Sequence, residues 1–204
     1  MNKIIKNTGI LMAITLVAGA LLGLVYEVTK IPIAQAQEDA KQEAYRTVLA
    51  DADTFVNEEG FKESKAQKIL NKAGYVSDDI SEVVVGQDTS GETVGYVITV
   101  TSHEGYGGDI QISVGIETDG TVKGIEMLSI SETAGLGMKA TEADFKDQFK
   151  DKKVEKFSYT KSGEEGDDII DALSGATITT NAVTNAVDSA LAYFQEELGG
   201  SVNE

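Results

Sequence analysis

A chain of 204 residues holds one domain of ordinary size plus an anchor, and its formal charge of −17 makes a surface that repels nucleic acid and anionic lipid head groups. The part after the anchor is more acidic still: residues 1–30 carry Lys3, Lys6 and Lys30 against Glu27, and removing that net +2 from −17 leaves −19 on residues 31–204. With no Cys the chain makes no disulfide, no thiolate-held iron–sulfur cluster and no thioether-linked haem, and its one histidine, His103, falls short of the usual zinc or copper ligand set, so a redox role here needs an organic cofactor.

From Asn7 to Tyr26 the chain is uncharged and mostly apolar, and 20 residues at about 1.5 Å each span the ~30 Å hydrocarbon core of a bilayer. Lys3 and Lys6 precede the span while Glu27 and Lys30 follow it without an excess of positive charge, which predicts a cytoplasmic N-terminus and a domain on the outer face. A cleavable signal peptide competes with this anchor, because Ala18-Gly19-Ala20 and Ala34-Gln35-Ala36 have the small-x-small form; the first lies inside the apolar run and the second beyond Lys30 and Pro32, and either outcome exports the domain. After Pro32 a helical stretch with Ala34, Ala40, Ala44, Tyr45, Val48 and Leu49 leads into the domain, and a second helix is expected over Ser64–Lys72, ended by Gly74.

Strand patterns begin at Glu82. Glu82–Asp88 and Glu92–Thr101 flank the turn Thr89-Ser90-Gly91, and Asp109–Glu117 and Val122–Ile130 flank Asp119-Gly120, so about four antiparallel strands with one buried face are expected. Gly105-Tyr106-Gly107-Gly108 precedes the second hairpin and Gly135-Leu136-Gly137 follows it, which puts two glycine-rich loops at one end of the sheet, each an ordinary turn or a place where backbone approaches a flat ligand. His103 beside the first loop reads as a partly exposed loop residue. Thr141-Glu-Ala-Asp144 resembles a capping box opening a short helix with Phe145 and Phe149 on one face, Val154–Tyr159 alternates as a further strand, and the acidic runs at Glu58-Glu59, Asp78-Asp79 and Glu164–Asp168 lack the spacing of a calcium loop and read as solvated.

The last segment is the most informative. From Ala182, apolar residues at three- and four-residue steps through Phe194 mark one face of an amphipathic helix, so Ser174-Gly175-Ala176-Thr177 lies at or just before a helix N-terminus, where unpaired N–H groups and the helix dipole favour a phosphate. On spacing alone Thr177, Thr179 or Thr180 can equally be an N-cap.

Asp171-x-x-Ser174-Gly175-Ala176-Thr177 resembles the flavinylation motif of the FMN-binding domain family, whose last Thr carries FMN through a phosphoester bond. Gly105-Tyr106-Gly107-Gly108 and Glu132-Thr133-Ala134-Gly135-Leu136-Gly137 resemble two further family motifs, though Ser129-Ile130-Ser131 stands where many members carry a His before the second. The whole chain is similar to the G subunit of ion-translocating Rnf electron transport complexes, related to the C subunit of the sodium-translocating NADH:quinone reductase. The resemblance implies an α+β fold, a largely antiparallel sheet with packed helices preceded by one N-terminal transmembrane helix. It divides the chain into an N-terminus and anchor over 1–30, a helical linker over 31–75 and an FMN-binding domain over 76–204. It implies FMN held covalently on Thr177, with Asp171, Ser174, Gly175, Ala176, Tyr106, Gly107, Glu132, Thr133, Gly135, Leu136 and Gly137 around it. Its partners would be the other membrane subunits of the complex, an FMN transferase for maturation and membrane lipid. Ferredoxin and NAD⁺ chemistry would belong to those other subunits, since the chain has no G-x-G-x-x-G fingerprint. A stand-alone exported flavoprotein and an anchored ligand-binding module without redox chemistry are the rival readings.

Overall fold

In the computed structural model residues 2–199 are described; Met1 of the expected anchor and the last five residues of the expected 76–204 domain lie outside the described residues. The chain divides into two compact units between Lys41 and Gln42. The first is most of a single helix, α1 (Asn2–Val48), which continues through Pro32. Its apolar side chains have no protein to bury them: Leu11, Leu16 and Leu21 are each about 60% exposed or more. This helix is long and apolar enough to cross a membrane. Thr15 and Thr29 turn their hydroxyls back onto carbonyls three and four residues earlier, so these two polar side chains find partners within the helix itself.

The second unit is an antiparallel sheet packed on both faces. Its strands are β1 (Thr54–Asn57), β2 (Asp78–Gln87), β3 (Thr93–Ser102), β4 (Ile110–Glu117) and β5 (Val122–Ser129), each hydrogen-bonded to the next in chain order. Two short turns, at Ser90-Gly91 and Asp119-Gly120, set the register; Gly91 and Gly120 adopt φ of 84° and 89°, which a side chain disfavours. Alternation then sorts the side chains. Val83, Ile98, Ile112, Val114 and Ile116 point to one core, and Val84 and Val97 point to another.

The expectation of one buried face is therefore corrected. The second face is covered by the end of α1 and the turn after it, through Tyr45, Val48, Leu49 and Ala52. What permits this is a floor of glycines: a Cβ on Gly86 would sit 2.9 Å from the Ala52 Cβ, one on Gly95 would sit 3.0 Å from the Leu49 side chain, and one on Gly115 would run into the Val48 carbonyl. Tyr45 closes the rim by donating its hydroxyl to Glu82 at 2.9 Å.

The larger core lies under α2 (Glu63–Ala73) and α4 (Thr177–Glu197). Gly74 ends α2 in the left-handed region at φ 96°. From α4, Ala182, Val183, Ala186, Val187, Ala190, Leu191 and Phe194 are fully buried, each large one contributing roughly 1.5–3 kcal/mol. Lys72 and Glu196 pair at 2.8 Å between the two helices, and Lys65 also pairs with Glu197.

The capping box does not form. Thr141 gives its hydroxyl to the Met138 carbonyl at 2.9 Å and ends a 3-10 turn (Gly137–Thr141), while the helix α3 (Ala143–Lys146) starts after Glu142 with no side-chain cap. Phe145 and Phe149 nevertheless meet edge to face at 5.7 Å. The expected strand over Val154–Tyr159 shrinks to β6 (Ser158–Thr160), which pairs in parallel with β7 (Ile169–Asp171) in a separate two-stranded ribbon. Val154 and Phe157 are drawn into the core instead.

Candidate functional site

Antiparallel register brings the site together. Ser102 lies opposite Ile110 and Gln111 opposite Ser129, so the β3–β4 connection and the segment leaving β5 emerge from the same end of the sheet. Glu132 fastens them to each other. Its carboxylate, 9% exposed, accepts the N–H of Tyr106 at 2.7 Å and that of Gly107 at 3.3 Å. The loops can close this far because Gly107 has no Cβ to meet the Ser131 carbonyl, and Gly137 has none to meet Thr179 Oγ1 at 2.6 Å and Glu132 Oε2 at 2.7 Å.

The N-terminus of α4 completes the enclosure. A cavity of about 550 Å³ is lined by Tyr106 from the first loop, by Glu132, Thr133, Leu136 and Gly137 from the second, and by Gly175, Ala176, Thr177, Ile178 and Thr179. That volume lies in the range of cofactor sites. Of the residues expected around the cofactor, the structure thus brings eight to one cavity. Gly107 and Gly135 are exposed and lie outside its lining. Asp171 and Ser174 are exposed and do not line it; Asp171 sits at the end of β7, where its N–H is bonded to Gln148 Oε1 at 2.6 Å.

The start of α4 has a chemistry that spacing left open. Thr177 is the first helical residue and Ala176 is the N-cap, with no side chain capping the helix. The N–H groups of the first turn therefore lack side-chain partners and face the cavity with the positive end of the dipole. Thr180 is not a cap either: it accepts the Leu173 N–H at 3.0 Å and donates to the Ala176 carbonyl at 3.0 Å, fixing the turn that delivers Thr177. Gly175, at φ 76°, makes that turn, with Leu136 3.1 Å from where its Cβ would be. Around the mouth stand three exposed apolar side chains, Tyr106, Leu136 and Ile178, at 72%, 42% and 52% exposure.

Ile178 and Thr179 are lining residues that the motifs did not single out. Ile178 carries a signal in retrospect, as an apolar residue out of phase with the buried stripe of its helix.

Three titratable groups outside the cavity lining have shifted pKa values. His103 lies between Asp109, 2.8 Å from Nδ1, and Asp79, 3.0 Å from Nε2, and these carboxylates, Asp109 foremost, hold its imidazole above the ordinary histidine range. It is a surface clamp across the base of the Tyr106 loop. Deeper, Asp188 of α4 is 3% exposed, and burial pushes its carboxyl up to about 7, against the Phe157 N–H that Oδ1 accepts at 2.8 Å. Asp78, 1% exposed, accepts the Ser189 hydroxyl at 2.7 Å and is likewise raised by burial.

Comparison with known proteins identifies the family. Residues 105–192 match the model of the FMN-binding domain, and residues 1–48 match that of the RnfG N-terminal region. The chain is 35% identical to the G subunit of the ion-translocating oxidoreductase complex of Methanosarcina acetivorans, over 97% of this chain and 98% of that one. It is 32% identical to the G subunit of the Na⁺-translocating ferredoxin:NAD⁺ oxidoreductase complex of Acetobacterium woodii, over 95% and 93% of the two chains. Among solved structures, the C subunit of the Na⁺-translocating NADH-quinone reductase from Parabacteroides distasonis shares the fold, with a TM-score of 0.54 and 20% identity over 82% of this chain and 96% of that chain. Carrying both matched regions and aligned nearly end to end with these relatives, the chain belongs to the G-subunit family of ion-translocating oxidoreductase complexes, with an FMN-binding domain behind a membrane-anchoring helix.

Proposed function

We propose that the chain carries FMN as a phosphoester on Thr177 and passes electrons within a membrane complex that couples ferredoxin:NAD⁺ oxidoreduction to ion movement, with its flavin domain on the outer face. The observation that carries the reading is the single cavity in which the three motifs meet at an uncapped helix N-terminus. Its parts fit FMN. Small residues at Gly175 and Ala176 let a phosphate approach the first-turn N–H groups, and Thr177 offers a hydroxyl at the same place. Tyr106, Leu136 and Ile178 supply the apolar surface for a ring system, while Glu132 and Thr133 add polar groups within the cavity. Ser174 and Asp171, outside the cavity, remain accessible to a maturing transferase, Gly107 and Gly137 let the two loops close, and Gly135 turns the second loop at φ 75°.

Bound there, FMN supplies one- and two-electron chemistry that no side chain of this chain can. The protein's part is to hold the phosphate end, cover the ring and limit water. A covalent bond suits an outer face, because it removes the dissociation step through which a diffusing cofactor is lost. The other membrane subunits would supply the ferredoxin and NAD⁺ sites, and lipid would surround α1.

The test is the full-length chain produced in a membrane host together with an FMN transferase. The purified protein is expected to be yellow, heavier by one FMN less one water, with flavin that stays attached in denaturant. Flavin that washes out overturns the covalent bond; a colourless chain overturns the cofactor.

A further inference from the structure

Glu104, which immediately precedes the Gly105–Gly108 loop, belongs to none of the three motifs, yet it is the only side chain among the described residues through which that loop hydrogen-bonds to α4. Its Oε2 accepts the side-chain N–H of Asn185 at 2.9 Å and that of Asn181 at 3.3 Å. The two asparagines are four residues apart and so stand one above the other on the helix, with Asn181 one turn beyond Thr177. Asn is a poor choice inside a helix, where its amide competes with the backbone and its propensity falls well below that of Ala. Two in successive turns, both half-buried in a helix otherwise lined with Ala and Val, break a local rule, and the shared carboxylate is the compensating gain.

The loop has need of such a hold. Tyr106 at its tip is 72% exposed, so packing does not place it. Its position comes from three tethers: His103 to Asp109 across the base, Glu132 to the Tyr106 and Gly107 amides from the β5 side, and Glu104 to α4. The first two fix the loop within the sheet end. Only the third ties it to the helix that presents Thr177. We propose that Glu104, acting through Asn181 and Asn185, is a positioning residue that sets Tyr106 against the N-terminus of α4 and so fixes where the aromatic ring lies over the flavin.

This inference rests on the FMN reading, and the experiment keeps the two apart. Full-length chain is prepared with and without the FMN transferase, as wild type, Glu104→Ala, Glu104→Gln and the double variant Asn181→Ala/Asn185→Ala. A tyrosine close to a flavin ring quenches its emission. In the loaded chains, Glu104→Ala and the double variant are expected to carry wild-type amounts of flavin by mass and to lose that quenching. Glu104→Gln, which keeps an acceptor oxygen, retains it. In the flavin-free chains, the Tyr106 and Gly107 amides are expected to lose hydrogen-exchange protection in Glu104→Ala and the double variant while the amides of β3 and β4 keep theirs. The Asn→Ala changes raise helix propensity, so a loss there is not a folding defect. Wild-type emission at full flavin load in Glu104→Ala and the double variant, or unchanged amide protection in the flavin-free chains, overturns the role of Glu104. A wild-type chain that takes up no flavin overturns the cofactor reading instead, and the exchange experiment still decides this one.

Discussion

Three threonines within four residues share a helix start, and the structure gives each a different job. Thr177 opens into the cavity, Thr179 is buried against Gly137, and Thr180 is spent on two hydrogen bonds inside the turn. A Thr177→Ala chain should therefore fold with a change in stability below the roughly 0.5–2 kcal/mol that a lost cap costs, since no cap is removed, and should carry no covalent flavin. Thr177→Ser should keep some. Thr180→Ala should stay yellow but lose about 1–2 kcal/mol, because the Leu173 N–H is left without its acceptor. Intact mass and thermal unfolding separate these outcomes, and a Thr177→Ala chain that retains flavin through denaturation sinks the assignment. At this scale the sequence spoke clearly of chemistry and poorly of roles: a hydroxyl at a helix start reads as cap or acceptor alike until the N-cap itself is seen to be Ala176. Glu104 was illegible because its meaning lies in two amides some eighty residues further on.

Asp188 offers a second residue-scale expectation, this time in pH. Burial raises its carboxyl from 3.8 to about 7, with Asp78 adding to the rise, and the Phe157 N–H, Lys156 and the Tyr75 hydroxyl opposing it. A group raised on folding contributes stability that is fully present below its unfolded value and is lost as pH rises through the folded one. The domain should thus lose stability as pH rises from about 4 to about 7, by a few kcal/mol at most from this group. Asp188→Asn keeps an oxygen for the Phe157 N–H and cannot ionise, so its melting temperature should vary less over the same range and exceed that of the parent at the alkaline end. Equal slopes in the two proteins would show that Asp188 is not the group responsible.

Among elements, those with strong periodicity were plain before folding and those set by distant partners were not. The second hairpin, α2 with its Gly74 stop and the buried stripe of α4 follow from local pattern alone. Four-residue β1 escaped because it is an edge strand of mostly exposed side chains, without an alternating signal. The Val154–Tyr159 run alternates well, yet Phe157 is captured by Phe149 at 5.1 Å and by α4, which leaves only the end of the run for pairing. The second covered face was hidden for another reason: glycines in β2, β3 and β4 read as weak strand positions, whereas they are the space into which Val48 and Leu49 settle. Gly115→Ala drives a Cβ into the Val48 carbonyl, where no side chain can give way. It should cost roughly 1–3 kcal/mol in thermal unfolding while sparing flavin load, since the cavity lies beyond the other end of β4. Gly137→Ala instead presses Thr179 and Glu132 apart at the cavity wall, so it should lower flavin load out of proportion to any loss of stability.

For the whole molecule the decisive question is which side of the membrane the cavity faces. Lys3 and Lys6 lie at the start of α1, ahead of the apolar run, and beyond it Lys30 is paired with Glu27 at 2.6 Å, so the following turns offer little free positive charge to hold them in the cytoplasm. The domain behind them is strongly acidic, and a surface of that sign gains nothing from the anionic lipids of a cytoplasmic leaflet. Both arguments predict that residues after Tyr26 lie outside. Protease added to intact cells, with any wall removed, should then reach the domain, and cutting should concentrate in exposed loops such as Lys161–Asp168 while the packed sheet resists. Extraction of the membranes should leave a fragment containing Lys3 and Lys6 that was protected throughout. A domain that resists until the cells are lysed would reverse the orientation, and the advantage claimed for a covalent flavin, that it cannot be lost to the surroundings, would fall with it, leaving the cavity and the cofactor reading untouched.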